Sequence, residues 1–284
     1  MRRFGRRPRV TVIIPTYNWA TVLPWSIGSV LAQTMPDFEL LVIGDGCTDE
    51  SDDVVRSVGD GRVSWHNLPE NGRTQVGPNN LGLTLARAEL VAYLGHDDLW
   101  LPQHLELLCT ALDGGAPFAH GHQLRIDPGR APYVFPGEHW VYTAHDWLPP
   151  TSMMHRRNDV HRLGGWRFPS AGQLDDPETD LWARLAAAVG PPVCIDQVTS
   201  VKLPAGLRAG VYRERPCDEQ AAWWARVQAA PDSASFVAVA LADTSLRPPE
   251  RYDVAAVTPE FLGDVAADAV ERHRAGRRTK GLPD

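Results

Sequence analysis

From Val10 onward, short apolar runs alternate with segments whose apolar residues recur every three or four positions. Residues 10–14 form a β-branched run that stops at Pro15. Residues 21–33 carry Val22, Ile27, Val30 and Leu31 at helical spacing. A second apolar strand is expected over 38–43, ending at Gly44-Asp45-Gly46, then a short helix over 52–58 and a third strand over 63–67. A helix over 81–88, starting near Asn79, leads into a fourth strand at 90–94 and another helix at 102–112. This alternation predicts an α/β protein with a mainly parallel sheet, covered on both faces and wound right-handed.

Beyond Gly115 the pattern loosens. Residues 118–126, 151–155 and 193–201 read as strands, and 130–150 is rich in Pro, Gly and aromatic residues. A short helix runs to Leu163, and 176–189 forms a longer one with Leu181, Trp182, Leu185 and Ala188 on one face. The remainder, from about Pro216, reads as helical, with helices at 221–229 and 259–275 separated by a Pro-containing stretch. No internal repeat is visible.

Composition changes this picture little. The 284 residues, 43% hydrophobic and 22% charged, fit one large globular domain or one domain with an extension. No apolar run approaches the roughly 20 residues of a membrane span, and MRRFGRRPR lacks the apolar stretch of a signal peptide. Four widely spaced cysteines without a CxxC pair fit reduced thiols in a cytoplasmic protein rather than a zinc site. The net charge of -7 is uneven, with arginines crowding the first nine residues and basic residues crowding 272–280. The middle is therefore strongly acidic, which argues against nucleic acid as a partner. The basic ends read as solvated tails, with contact to an anionic membrane surface as the other reading.

The sharpest chemical signal is YLGHDDLW, residues 93–100. An apolar strand stops at Gly95 and is followed at once by His96, Asp97 and Asp98, where an open α/β sheet places ligand chemistry. Adjacent carboxylates repel unless a cation or a shared proton joins them. Hard oxygen ligands of this kind suit Mg2+ or Mn2+ carrying substrate phosphates. Taken alone, the stretch reads equally as an acidic turn before the helix that follows Pro102.

Around it stand PTYN (15–18), DGCTD (45–49), HDDLW (96–100) and GGW (164–166), followed by an acidic helix containing DLW (180–182). In this order the landmarks resemble the inverting family 2 glycosyltransferases, over roughly residues 9–205. The resemblance implies the GT-A fold: a single Rossmann-like, mainly parallel but mixed sheet flanked by helices, here with a C-terminal helical extension. It divides the chain into a basic tail (1–9), a nucleotide-sugar donor half (10–115), an acceptor half of the same domain (116–205), and a mostly helical extension with a basic tail (206–284).

The resemblance also implies roles. Pro15, Thr16, Tyr17 and Asn18 line the base pocket, with Asn18 as a helix cap in the plainer reading. Asp45 accepts hydrogen bonds from a base or ribose, although Gly44 stands where relatives carry an acid. Asn79 stands where many relatives have arginine. His96 contacts the ribose or supports a residue that does. Asp98 coordinates Mg2+ or Mn2+, with Asp97 on the ribose or bound through water, and Gly95 replaces the usual first acid. Gly165 and Trp166 belong to the acceptor side, where Trp140 and Trp147 are also candidates for stacking. Glu178 falls where the catalytic-base aspartate normally lies, with Asp176 as its rival and Asp180 as a third acid that braces the helix or reacts. His120 and His122 share a strand without a third ligand and read as ordinary hydrogen-bonded residues.

The reading is a metal-dependent transferase moving a sugar from a nucleotide diphosphosugar, with inversion, to an unidentified sugar, lipid-linked, peptide or small-molecule acceptor. Association into a homo-oligomer is a further expectation. A non-catalytic nucleotide-sugar-binding relative is the main alternative, and a nucleotidyltransferase ranks last because PTYNWATVLP lacks a glycine-rich, lysine-containing loop.

Overall fold

The computed structural model describes residues 7–137, 140–144, 146–168, 176–208 and 211–243. The expected helix at 259–275, residues 1–6 of the N-terminal basic tail, the C-terminal basic tail and Asp175 lie outside the described residues, whereas Arg9 is tied down by Asp37 and Asp113. Strands are β1 (Val10–Thr16), β2 (Phe38–Gly44), β3 (Val63–Asn67), β4 (Leu90–Tyr93), β5 (Leu99–Trp100), β6 (Phe118–Arg125), β7 (Tyr133–Phe135), β8 (Met153–Arg156) and β9 (Val193–Lys202). Helices are α1 (Leu23–Leu31), α2 (Ser51–Ser57), α3 (Val76–Leu85), α4 (His104–Asp113), α5 (Arg157–Arg162), α6 (Pro177–Val189), α7 (Val211–Glu214), α8 (Asp218–Ala229) and α9 (Ser233–Ala242).

One sheet runs through the molecule in the order β3-β2-β1-β4-β8-β6-β9-β5, with β7 paired to β6. The β1–β2, β1–β4 and β2–β3 pairings are parallel, as the early strand–helix alternation predicts. Beyond β4 the sheet is mixed: β8 runs antiparallel to both β4 and β6, whereas β9 is parallel to β6. The expected mixed sheet is present, and the strand–helix alternation loosens here because antiparallel neighbours need no helical crossover.

β1 and β2 are buried on both faces, which their unbroken apolar runs require. One face packs Val12, Ile14, Leu40 and Val42 against α1 and α4 through Ile27, Leu105 and Leu108. The other packs Ile13, Leu41, Ile43 and Val91 against Val76 and Leu83 of α3 and, farther along, Trp182 of α6. A third cluster joins Leu124, Val201 and Leu203 to Trp223, Val227 and Phe236 of α8 and α9, so the described part of the extension is helical and packs behind β9. α9 occupies part of the stretch expected to be an irregular connection.

Candidate active site

The parallel strands end on one side of the sheet, and four chain segments meet there. β1 ends in Thr16, and its hydroxyl bonds His96 Nδ1 at 2.9 Å across the β1–β4 boundary. Trp19 closes on the His96 ring edge-on, with centroids 5.0 Å apart. His96 is half-buried, and burial lowers its pKa, so the imidazole is neutral at pH 7.

Asn18 has φ 46° and does not cap α1. Its side chain instead bonds both ways with Thr48, accepting from the Thr48 N–H at 2.7 Å and donating to its hydroxyl at 3.3 Å. The PTYN and DGCTD landmarks are thereby tied together. Tyr17 is covered by Arg215, which lies 5.4 Å from the ring centroid and donates to the Tyr17 carbonyl at 2.6 Å.

Asp45 is buried and accepts the Gly72 and Arg73 backbone N–H groups, each at 3.0 Å. It holds the 71–73 loop rather than standing free for a base. A Cβ on Gly44 would lie 2.7 Å from Trp65 and 2.4 Å from the Asn67 amide oxygen. The space of an acid at position 44 is therefore filled by those two side chains. Asn79 is fully buried inside α3 and donates to Gln75 at 3.4 Å, so the expectation that it touches the donor directly is not met.

The adjacent acids at the β4 end have opposite environments. Asp98 is fully buried and accepts from Lys202 Nζ at 2.9 and 3.1 Å, from the Leu203 N–H at 3.0 Å, and from the Thr151 hydroxyl. Burial raises its pKa and Lys202 is the main force against that; with this many converging donors we assign the pair as carboxylate and ammonium. Burial also works against the Lys202 charge, but Asp98 and Asp97 outweigh it and raise the lysine pKa.

This corrects the expected division of labour. Both Asp98 oxygens accept from protein donors, whereas Asp97 makes no hydrogen bond among the described residues and is 6% exposed. Among the described residues, no group of three or more His, Cys, Asp or Glu is arranged to hold a metal. Mg2+ is held by one or two carboxylates plus substrate phosphates, so the free Asp97 carboxylate fits the protein's share of such a site. Gly95 belongs to this arrangement, because a Cβ there would stand 2.6 Å from Asp98 Oδ2 and 3.1 Å from Asp97 Oδ1.

Across the sheet, Glu178 lies in the first turn of α6 and is nearly buried. Its Oε1 accepts from Trp147 Nε1 at 3.0 Å and its Oε2 from Gln75 Nε2 at 2.9 Å. Burial raises its pKa, the neighbouring Asp176 adds to the rise, and Lys202 opposes it. Lys202 is dominated by Asp98 and Asp97, and it reaches Glu178 only as a weak, longer-range charge.

The other acceptor-side expectations change. Asp176 caps α6 by position and is exposed. Asp180 is a brace: it pairs with Arg167 at 2.9 Å and Arg184 at 2.7 Å. Burial alone would push its pKa up, but the two arginines outweigh it and hold the carboxyl below the usual range. Gly165 and Trp166 are packing residues, not acceptor contacts. The Trp166 backbone bonds the Asn80 side chain at 2.8 and 2.9 Å, and its indole N–H donates to Tyr93 Oη at 3.0 Å. At 2% exposure Trp166 has no face for a sugar.

The residues that sequence reading missed are Lys202, Thr151, Gln75, Trp19, Tyr212 and Arg215. They reach the site from five segments, Tyr212 and Arg215 sharing the one around α7, and none carries a local motif.

With the geometry in view, the comparisons are consistent with one another. A family model described as "Glycosyl transferase family 2" matches residues 11–167, more than half of the chain. A validoxylamine A glucosyltransferase of Streptomyces hygroscopicus subsp. jinggangensis is 38% identical over 173 residues, 59% of this chain and 40% of that protein. An uncharacterized glycosyltransferase of Nostoc sp. is 34% identical over 122 residues, 43% of this chain and 38% of that one. The matched segments thus span only about two-fifths of these curated relatives. Among solved structures, S. aureus TarS in complex with UDP-GlcNAc aligns with TM-score 0.56 at 16% identity, covering 69% of this chain and 58% of that one. The Pyrobaculum calidifontis mannosyltransferase PcManGT, in complex with GDP-Man and Mn2+, aligns with TM-score 0.53 at 18% identity, covering 95% of this chain and 76% of that one. At these identities the likeness establishes the GT-A fold.

Proposed function

Because the chain belongs to glycosyl transferase family 2, we propose that it moves a sugar from a nucleotide diphosphosugar to an acceptor hydroxyl with inversion, assisted by Mg2+ or Mn2+. The observation that carries this reading is the different settings of three acids: Asp98 paired with Lys202, Asp97 without a hydrogen-bond partner among the described residues, and Glu178 buried with a raised pKa. Asp97 holds the metal and the diphosphate side. Glu178 is the general base, because a carboxylate whose pKa is raised takes a proton more readily.

The acceptor oxygen bonds C1 from the face opposite the diphosphate as the bond from C1 to the phosphate oxygen breaks. The acceptor proton passes to Glu178, and the bonding electron pair leaves with the diphosphate. A bound divalent cation supplies charge neutralisation to that leaving group. Lys202 adds a fixed positive charge beside Asp97, and the neutral His96 with Thr16 and Trp19 shapes the wall next to it. Tyr17 and Arg215 offer an aromatic face and a cation on the nucleotide side. TarS and PcManGT are titled as complexes with UDP-GlcNAc and GDP-Man, which supports testing both bases.

Thermal unfolding with UDP, GDP, ADP, CDP or dTDP, with and without Mn2+, tests the donor side, since a ligand that binds only the folded state raises its stability. One nucleotide is expected to raise the melting temperature only with Mn2+, and Asp97→Asn to abolish the rise. No shift with any nucleotide counts against the donor site. A nucleotide-sugar-binding relative without transfer would show the shift but no turnover.

A further inference from the structure

Two neutral donors from opposite halves of the domain grip Glu178. Trp147 lies in the aromatic-rich connection before β8, and Gln75 is the N-cap residue of α3. Each gives one N–H to a different oxygen of Glu178, at 3.0 and 2.9 Å. Both donors are themselves held. The Arg125 guanidinium carbon lies 5.4 Å from the Trp147 ring centroid, and Phe135 packs on the same indole at 6.1 Å. Asn79 donates to Gln75 Oε1, which leaves the Gln75 NH2 as the end presented to the carboxylate, a group that only accepts when ionised. Asn79 is fully buried, and its own Oδ1 has no partner among the described residues, so its amide serves as a donor to Gln75.

We propose that Trp147 and Gln75 are positioning residues that fix the Glu178 carboxylate, one oxygen each, and leave its remaining lone pairs for the acceptor proton. The proposal rests on Glu178 as the base. A carboxylate has about four lone-pair sites; Trp147 and Gln75 take one on each oxygen, and the Glu178 backbone N–H also favours the charged form. The grip holds the base in one rotamer without neutralising it, unlike the arginines on Asp180 or the lysine on Asp98. It also ties base alignment to the donor half through α3 and to the acceptor half through Trp147. The charged groups facing Glu178 are Asp176 at the start of its own helix and Lys202 on β9.

The test is a carbon-13 NMR titration of the Glu178 carboxyl in the full chain, compared between the wild type, Trp147→Phe and Gln75→Leu. Trp147→Phe keeps an aromatic ring against Arg125 and removes the indole N–H, with a smaller packing face. Removing a hydrogen bond made to the charged form raises a carboxyl pKa. Both variants should therefore titrate at higher pH than the wild type, with UDP and GDP binding in Mn2+ unchanged. Hydrolysis of UDP-glucose, UDP-N-acetylglucosamine or GDP-mannose, whichever the wild type turns over, should slow about tenfold in kcat, the order of one lost hydrogen bond. Its acid limb should move to higher pH. A purely structural role predicts a lower melting temperature with an unmoved titration, and an unmoved titration in both variants overturns the proposal. Glu178→Gln separates the two levels. If it retains hydrolysis, the base assignment fails. If it is dead while the titration stays put in Trp147→Phe and Gln75→Leu, only the grip fails.

Discussion

Asp97 and Asp98 are indistinguishable in sequence, yet they have different work. What separates them is Lys202, 104 positions downstream of Asp98, together with the Leu203 N–H. Breaking a buried ion pair from one side leaves an uncompensated charge. Asp98→Asn should therefore cost roughly 3–5 kcal/mol of stability, and pairing Asp98→Leu with Lys202→Met should recover a large part of it. Urea unfolding of the single and double variants checks this. An Asp98→Asn protein of wild-type stability would return Asp98 to the ligand-binding role read from its sequence. That both acids sit together at a strand end was legible, because a polar cluster there is a local feature. Which one is free was not, because the deciding partner is remote in sequence. The same holds for Glu178 and Asp180, which lie on one turn of α6 but face neutral donors and arginines respectively.

At the scale of elements, β1 to β4 with α1 to α4 were readable because β1, β2 and β4 are mostly apolar runs, β3 is a short β-prone segment, and the crossovers between them are helices. The two-residue β5 was not, since a strand this short carries no period. Nor was β7, which is hidden among aromatics that serve as packing for Arg125 and Trp147. The α3 start was misjudged by several residues, with the consequence that Gln75 was overlooked. β9 is the element on which the site depends most, for Lys202 closes one of its ends while Val201 packs on Trp223 and Phe236 behind it. Trp223→Ala should cost about 3–5 kcal/mol, as large-to-small core changes do, and should weaken nucleotide binding only in step with unfolding. Parallel chemical denaturation and nucleotide titration distinguish that outcome from a helix pair that is merely appended, which would unfold without changing the stability of the sheet.

Across the whole molecule, several buried histidines set the response to acid. Burial pushes His104 down to about 3, and His120 and His155 to about 4. Their folded values lie below the unfolded value of about 6.5, so the unfolded chain binds more protons as pH falls. Their contribution to stability is complete above about pH 6.5 and is lost progressively toward pH 4. Glu178 runs the other way: its raised folded value means that folding carries a cost at neutral pH, which diminishes as the group protonates. Melting temperatures should fall steadily between pH 7 and pH 4.5, and a flat profile over that window would contradict neutral, buried histidines.

The same architecture brings α7 and the Arg215–Pro216 turn from beyond β9 back to Tyr17, Trp19 and Thr21 after the end of β1, so the C-terminal extension completes the wall of the proposed donor side. The most direct test of the transferase itself is proton NMR of donor turnover with Mn2+, using UDP-glucose, UDP-N-acetylglucosamine and GDP-mannose with water as acceptor. One donor should release its sugar initially as the anomer opposite to that in the donor, and both Asp97→Asn and Glu178→Gln should abolish release. Release with retained configuration, or equal release by the wild type and both variants, would contradict the account.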